Sequence, residues 1–269
     1  MNGSGRIGLL GLLLVLGVSC AGRPRPGPDA TVEERLRFGF YQLERGGTYS
    51  ARQVFEELIF SAPGSAVIDS AHFGLGEAYF QEDNFIQARS EYDVVVRSFP
   101  RSPLVDDAAF KSALCWWNQS LGYKLDQNET RQAIDAFHAF LLDHPTSDYY
   151  EQVLDILDEA QNRLVLKKIY EGDTYRKLGT ERDLQAAVLS YLEAIQSWPE
   201  STVLDRALLG LGETYLAMEA YPPALEAFGQ LVAVFPDSKW VEDARKRIRE
   251  LTSMGVTAPG VPPPAPVGD

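Results

Sequence analysis

The sequence predicts an all-α protein, a right-handed superhelical solenoid of five helix pairs followed by a C-terminal capping helix. Three observations lead to this fold class: a recurring spacing of small and aromatic residues, a proline at the end of each predicted pair, and a serine two residues after each proline. Self-similarity at a period of roughly 20–50 residues is typical of solenoids, because a single helix pair cannot bury its apolar face alone.

The clearest unit runs from Asp205 to Pro236. The residues that define its spacing are Asp205, Gly212, Tyr215, Ala224, Phe228 and Pro236. Gly212 has no side chain, so the second helix of the pair can approach the first closely. Pro236 lacks an N–H group and disfavours helical dihedrals in the residue before it, so the second helix is predicted to stop there. This is the spacing of a tetratricopeptide repeat.

The same spacing recurs in units that end at Pro63, Pro100, Pro145 and Pro199. Each of the five prolines is followed by a serine that we expect to accept an N–H and cap the next helix, namely Ser65, Ser102, Ser147, Ser201 and Ser238. The third unit has an insertion over residues 122–129, after which Thr130 is predicted to cap the second helix. Helical spacing without proline predicts a long helix, or two abutting ones, from Asp148 to Leu178.

The N-terminus predicts export and lipid attachment. Arg6 precedes an apolar run of twelve residues, Ile7 to Val18, which is too short for a membrane span of ~20 residues. The run ends at Gly17-Val18-Ser19-Cys20, which resembles a bacterial lipoprotein signal with Cys20 as the lipidated residue. Ordinary secretory cleavage that leaves a free Cys20 is the alternative.

Four domains follow from these features. Residues 1–19 are predicted to be a lipoprotein signal peptide, and 20–30 the lipidated cysteine with a proline-rich tether. Residues 31–252 form the solenoid, and 253–269 a disordered proline-rich tail.

Composition argues against several functions. A net charge of −13 makes nucleic acid an unfavourable partner, because phosphate binding needs clustered Lys and Arg. His72, His138 and His144 share no metal-ligand spacing, and Cys115 is expected to be a buried thiol. The sequence shows no glycine-rich phosphate loop and no nucleophile elbow, so we expect neither a cofactor nor an enzyme activity.

One face of the first helices in units one to three is unusually aromatic. At helical spacing it comprises Leu36, Phe40, Leu43, Phe73, Phe80, Phe110 and Trp117. First helices of such solenoids line the concave side, where partners bind. One interpretation is an apolar groove for an extended peptide with aromatic residues. The other is that these side chains pack within a tight superhelix.

The lipoprotein signal, the short tether and the five units together resemble the BamD family of lipoproteins from the outer-membrane β-barrel assembly machinery. The likeness covers about residues 31–251. Its distinctive motifs are the Pro-x-Ser-x-x-x-acid junctions and the third-unit run from Asp126 to Tyr149.

The resemblance implies a non-enzymatic adaptor at the periplasmic face of the outer membrane. It implies that the C-terminal units dock on BamA, the barrel-forming subunit, and that the N-terminal units recognise aromatic segments of unfolded outer-membrane proteins. Alternatives with the same fold are a pilus-secretin assembly lipoprotein and a coordinator of cell division.

Overall fold

The computed structural model describes residues 25–257, so Cys20 and most of the predicted tail lie outside the described part of the chain. Within that part, the chain forms eleven α-helices. They are α1 (Val32–Glu44), α2 (Thr48–Ser61), α3 (Ile68–Gln81), α4 (Phe85–Ser98), α5 (Val105–Gln119), α6 (Asn128–Asp143), α7 (Tyr150–Leu178), α8 (Glu181–Ser197), α9 (Leu204–Ala217), α10 (Tyr221–Val234) and α11 (Val241–Ser253).

The helices form the predicted solenoid. Each helix packs against the next one in the chain, from α1 through to α11. The helices therefore group as five pairs, α1–α2 to α9–α10, with α11 closing the stack, and the predicted fold class is confirmed. Direct contacts also join α1 to α3 and α7 to α9. First helices of adjacent units thus approach one another, as expected if they line the inner side of the curve.

Aromatic side chains of the second helices fill the space beside glycines of the first helices. The ring of Phe228 is fully buried over Gly212, where an added Cβ would lie 2.5 Å from Cε1 of the ring. Tyr191 lies in the same way over Gly172 of its own unit and Gly210 of the next one. These glycines are needed because any side chain would collide with the ring between the two helices.

Four of the five junction serines accept N–H groups, although not as helix caps, and the hydroxyl group of the fifth, Ser65, has no hydrogen-bond partner. Ser238 Oγ accepts from the backbone N–H of Trp240, and Ser102, Ser147 and Ser201 accept from the residue two positions later in the same way. The acceptor lies in the turn before the helix, whose N-cap residue is Trp240 in the case of α11. The N-cap residue of each of these helices therefore lies two positions after the serine predicted to be the cap. The serine itself belongs to an additional turn that precedes the helix.

Thr130 does not cap the second helix of unit three. The helix α6 already begins at Asn128, and Thr130 is buried in its first turn with its hydroxyl donating to Gln127 Oε1 at 2.9 Å. The side-chain amide of Gln127 donates to the carbonyl groups of Gly122, Leu125 and Asp126. The insertion is thus held closed by Gln127, which spacing alone did not single out.

The first helix of unit four, α7, is one continuous helix of 29 residues, which is one of the two forms predicted for this segment. It ends at Gly179, whose φ of 76° is the left-handed conformation that glycine adopts most readily. Thr180 then accepts a hydrogen bond from the Asp183 N–H and begins α8. None of the helices between residues 25 and 257 has both the length and the hydropathy of a membrane span.

Candidate functional site

The aromatic face predicted for units one to three lies on α1, α3 and α5, but two of its seven residues belong to the interior. Leu43 is 6% exposed and Phe110 is 3% exposed. The ring of Phe110 stacks on Tyr149 with the centroids 4.1 Å apart and packs edge-on against Phe140. These two side chains therefore serve packing and offer no surface to a peptide.

The other five residues, Leu36, Phe40, Phe73, Phe80 and Trp117, are half-buried. Each ring among them has a partner within the solenoid. The Phe40 ring packs edge-on against Phe55, with the ring centroids 5.1 Å apart. The ring centroid of Phe73 lies 5.6 Å from that of Tyr92. Phe80 packs on Phe85 and beneath the ammonium group of Lys111.

The Trp117 ring lies under the guanidinium group of Arg163, whose Cζ atom is 3.9 Å from the ring centroid. One face of each ring is thus used in packing, and the part that remains exposed is what a peptide could contact. Peptide binding by these five residues stays a prediction.

A second feature of the first helices is a row of ion pairs that joins successive units. Glu77 Oε1 lies 3.0 Å from Lys111 Nζ, Asp173 Oδ2 lies 2.7 Å from Arg206, and Glu213 Oε1 lies 3.0 Å from Arg247. The partners are 33 or 34 residues apart, which is about one repeat. Helical spacing of apolar residues does not predict these ion pairs. The acids could have been recognised in the sequence, because each one directly follows the glycine of its first helix.

Two tyrosines of the second helices tie into the same row. The hydroxyl of Tyr92 donates to Glu77 at 2.6 Å, and that of Tyr191 donates to Asp173 at 2.7 Å. Burial, followed by the neighbouring carboxylate, raises the pKa of both tyrosines above the ordinary range. The carboxylates of Glu77 and Asp173 are therefore each held from two directions, by a tyrosine hydroxyl and by a basic side chain of the next unit.

A cleft of about 570 Å³ lies among the first helices of units four and five and the start of α11. Its walls include the apolar side chains of Leu166, Leu209 and Trp240, and the charged side chains of Arg176 and Lys239. The cleft is open and mixed in polarity, which suits a protein or peptide partner better than a small substrate.

Two features of the described residues bear on metal binding and thiol chemistry. Between residues 25 and 257, no group of three or more His, Cys, Asp or Glu side chains is placed to hold a metal ion. Cys115 is fully buried, and burial raises the pKa of its thiol to about 12. At neutral pH this thiol is protonated and unreactive.

The repeated pairs, the small-residue spacing and the continuous inner face define a tetratricopeptide-repeat scaffold. A tetratricopeptide repeat model matches residues 206–238, and the model of YfiO, described as an outer membrane lipoprotein, matches residues 28–221. Because the second match covers more than half of the chain, the protein belongs to the YfiO family of outer membrane lipoproteins, which is the BamD type that the sequence resembles.

A curated relative supports this membership. The outer membrane protein assembly factor BamD of Caulobacter vibrioides is 24% identical over 236 residues, which cover 86% of this chain and 76% of the relative.

Among solved structures, the chain is similar to the TPR2AB domain of yeast Sti1, with a TM-score of 0.48 and 12% identity over 83% of this chain and 84% of that one. A thermophilic tetratricopeptide protein of Thermus thermophilus has a TM-score of 0.36 and 16% identity, covering 83% of this chain and 100% of the other.

Proposed function

We propose that this protein is a non-enzymatic adaptor of the outer-membrane β-barrel assembly machinery. In this proposal, a lipid on Cys20 anchors it to the periplasmic face of the outer membrane. Its C-terminal units dock on a BamA-like barrel protein, and its N-terminal units bind segments of unfolded outer-membrane proteins. The observation that carries the proposal is membership of the YfiO family over residues 28–221, together with the BamD name of the Caulobacter relative.

The geometry supports separate binding surfaces on the N-terminal and C-terminal units. The exposed parts of Phe40, Phe73 and Phe80 lie on the first helices of units one and two, where an extended peptide would meet aromatic surface. The wide cleft of units four and five combines apolar walls with charged side chains, which is the composition of a protein-docking surface. Ion pairs join unit two to unit three through Glu77 and Lys111, and unit four to unit five through Asp173 and Arg206.

Affinity capture from native membranes tests the proposed partner. The protein carries a tag after Asp269 and is expressed at its natural level, and captured proteins are identified by mass spectrometry. The proposal expects a BamA-like barrel protein among the strongest partners. Recovery of a pilus secretin or of division proteins, without a barrel-assembly protein, would instead support the alternative scaffolds.

The proposed peptide site needs a separate test, because its aromatic residues also pack against other side chains within the solenoid. A Phe40→Ala/Phe73→Ala double variant removes two half-buried rings, and Phe110→Ala serves as the matched control because Phe110 is buried and touches no ligand surface. The probe is a synthetic peptide of about ten residues with alternating aromatic side chains, the length of one barrel strand.

Circular dichroism first fixes a temperature at which both variants are folded, and fluorescence anisotropy then gives the Kd. The double variant should bind at least about tenfold more weakly, since removal of two anchoring rings costs more than ~1.4 kcal/mol. The Phe110→Ala control should bind like the wild type. Equal affinity of the folded double variant would reject the groove.

A further inference from the structure

The segment that follows the predicted anchor lies against unit one. The Arg35 guanidinium donates to the carbonyl oxygen of Pro28 at 2.8 Å, and Arg25 lies 3.3 Å from Glu57. Residues 25–28 enclose a cavity of about 90 Å³ together with Arg35, Phe38, Val54 and Glu57. The segment is thus docked on α1 and α2, and only residues 21–24 separate Cys20 from the docked part.

This docking limits how far the solenoid can stand from a lipid on Cys20. The five Cα–Cα intervals from Cys20 to Arg25 span at most about 18 Å when fully extended. If residues 25–30 were free, the first fixed residue would be Thr31, the N-cap of α1, and the reach would be about 40 Å. The polar headgroup layer alone takes roughly 5–8 Å on each side of a bilayer.

An exposed aromatic side chain lies beside the point where the segment docks. Phe60 is 90% exposed and is one helical turn after Glu57 on α2. Tyr49, which is 64% exposed, lies three turns earlier on the same face, since eleven residues nearly complete three turns. Single exposed apolar residues are common on protein surfaces. A pair of aromatics on a face held within reach of a bilayer is instead suited to the interface, where such rings are favoured.

We propose that the outer face of α2, through Phe60 and Tyr49, rests on the phospholipid surface of the membrane that holds the lipid on Cys20. The short docked segment sets the orientation, with unit one against the membrane and unit five furthest along the chain from it. This inference rests on the lipid anchor of the proposed function, and it adds the surface that faces the bilayer.

The test compares two positions of the same repeat register. Phe60 and Leu142 each lie three residues before the proline that ends their unit, and Leu142 is 81% exposed. The acylated full chain, carrying Phe60→Cys or Leu142→Cys, is labelled with an environment-sensitive fluorophore. Cys115 reacts little because it is buried, and Cys20 is blocked by the acyl chain. The proteins are placed in vesicles of phosphatidylethanolamine and phosphatidylglycerol, with or without a spin-labelled quencher lipid.

The inference expects blue-shifted emission at position 60 that the quencher lipid reduces, and water-like, unquenched emission at position 142. A Gly-Ser insertion between Ala21 and Gly22 should weaken the quenching at position 60, because it lengthens the reach without touching the body. Equal, unquenched emission at both positions in the acylated protein would overturn this inference and leave the anchor intact. Failure of Cys20 to be acylated, seen by mass spectrometry, would overturn both.

Discussion

The hydroxyl group of Ser238 donates a hydrogen bond to Asp205 Oδ2 over 2.6 Å, and the two residues are 33 positions apart. Because Ser238 also accepts the N–H of Trp240, one hydroxyl joins the start of α11 to the start of α9. The same link recurs where Ser102 meets Asp69, where Ser147 meets Asp106, and where Ser201 meets Asn162. Each of these junction serines therefore connects the first helices of adjacent units.

We predict that Ser238→Ala destabilises the protein by about 1–3 kcal/mol, since a hydrogen bond to a charged group is lost and the N–H of Trp240 loses its acceptor. For a domain of this size that lowers Tm by about 2–4 °C per kcal/mol, which calorimetry can resolve.

Ser65→Ala is the matched control, because Ser65 occupies the same register in unit one and its buried hydroxyl has no hydrogen-bond partner. The control should leave Tm unchanged or slightly raised. A similar decrease in Tm in both variants would show that the hydrogen bond from Ser238 to Asp205 does not contribute to stability.

The second prediction concerns the glycine beneath the Phe228 ring. In Gly212→Ala the new Cβ would lie 2.5 Å from the ring, and the ring is fully buried. Overpacking of this kind costs about 1–3 kcal/mol. Gly229→Ala adds a methyl group in the adjacent helix α10 where nothing lies within 4 Å, and it should stabilise the helix by roughly 0.5–1 kcal/mol. Urea unfolding measures both changes. A lower midpoint for Gly212→Ala and a higher midpoint for Gly229→Ala would agree with this packing, and midpoints shifted equally in one direction would contradict it.

The third prediction concerns alkaline pH. Tyr149 donates to Asp107 at 2.6 Å, and this hydrogen bond, followed by burial, raises the pKa of Tyr149 to about 12. A raised pKa in the folded state gives stability that is fully present below the ordinary pKa of 10.0 and is lost as pH rises towards about 12.

In Tyr149→Phe the fall of Tm across this pH window should therefore be shallower than in the wild type. It should not vanish, because Tyr92 and Tyr191 also have raised pKa values. The exposed Tyr175→Phe is the control and should follow the wild-type curve. A Tyr149→Phe curve parallel to the wild type would argue against the hydrogen bond.

The repeat architecture could be predicted from the sequence because its determinants are local. Pro236 acts through its own backbone, and Gly212 makes room for the Phe228 ring of the paired helix, so their spacing identifies the unit without knowledge of its neighbours. A long helical segment over residues 148–178 could also be predicted from apolar spacing, but spacing left open whether it is one helix or two, and the structure has the single helix α7.

The contacts between units were harder to predict because their partners are far apart in sequence. Ser102 and Asp69 are 33 residues apart, and neither reveals the other until the stacking register is known. Periodicity also does not separate the inner core from the exposed edge of an aromatic face. For that reason the sequence leaves open whether Phe110 lines a groove or packs inside the solenoid, and in the structure it is stacked on Tyr149 in the interior. The docking of residues 25–30 depends on Arg35 and Glu57 together, and composition alone predicts an extended tether.

The fourth prediction concerns the anchor, which lies outside the described residues. Cys20→Ala removes the only side chain at the predicted processing site that can be acylated, so the variant should be recovered in the soluble periplasmic fraction. Several acyl chains are needed for stable attachment, at about 0.8 kcal/mol per buried CH₂. Flotation of vesicles on a density gradient checks this outcome. A variant that still floats with outer-membrane vesicles would show that protein contacts, rather than lipid, hold it there.

The most direct measurement of the proposed role follows folded outer-membrane barrels while the protein is depleted from its own cells. Folded barrels keep a distinct mobility on unheated gels, so their amount can be read without purification. We predict that the folded form is lost as the protein disappears, and that plasmid-borne wild-type protein restores it. Unchanged folded barrels, accompanied by loss of assembled secretin or by failed division, would contradict it.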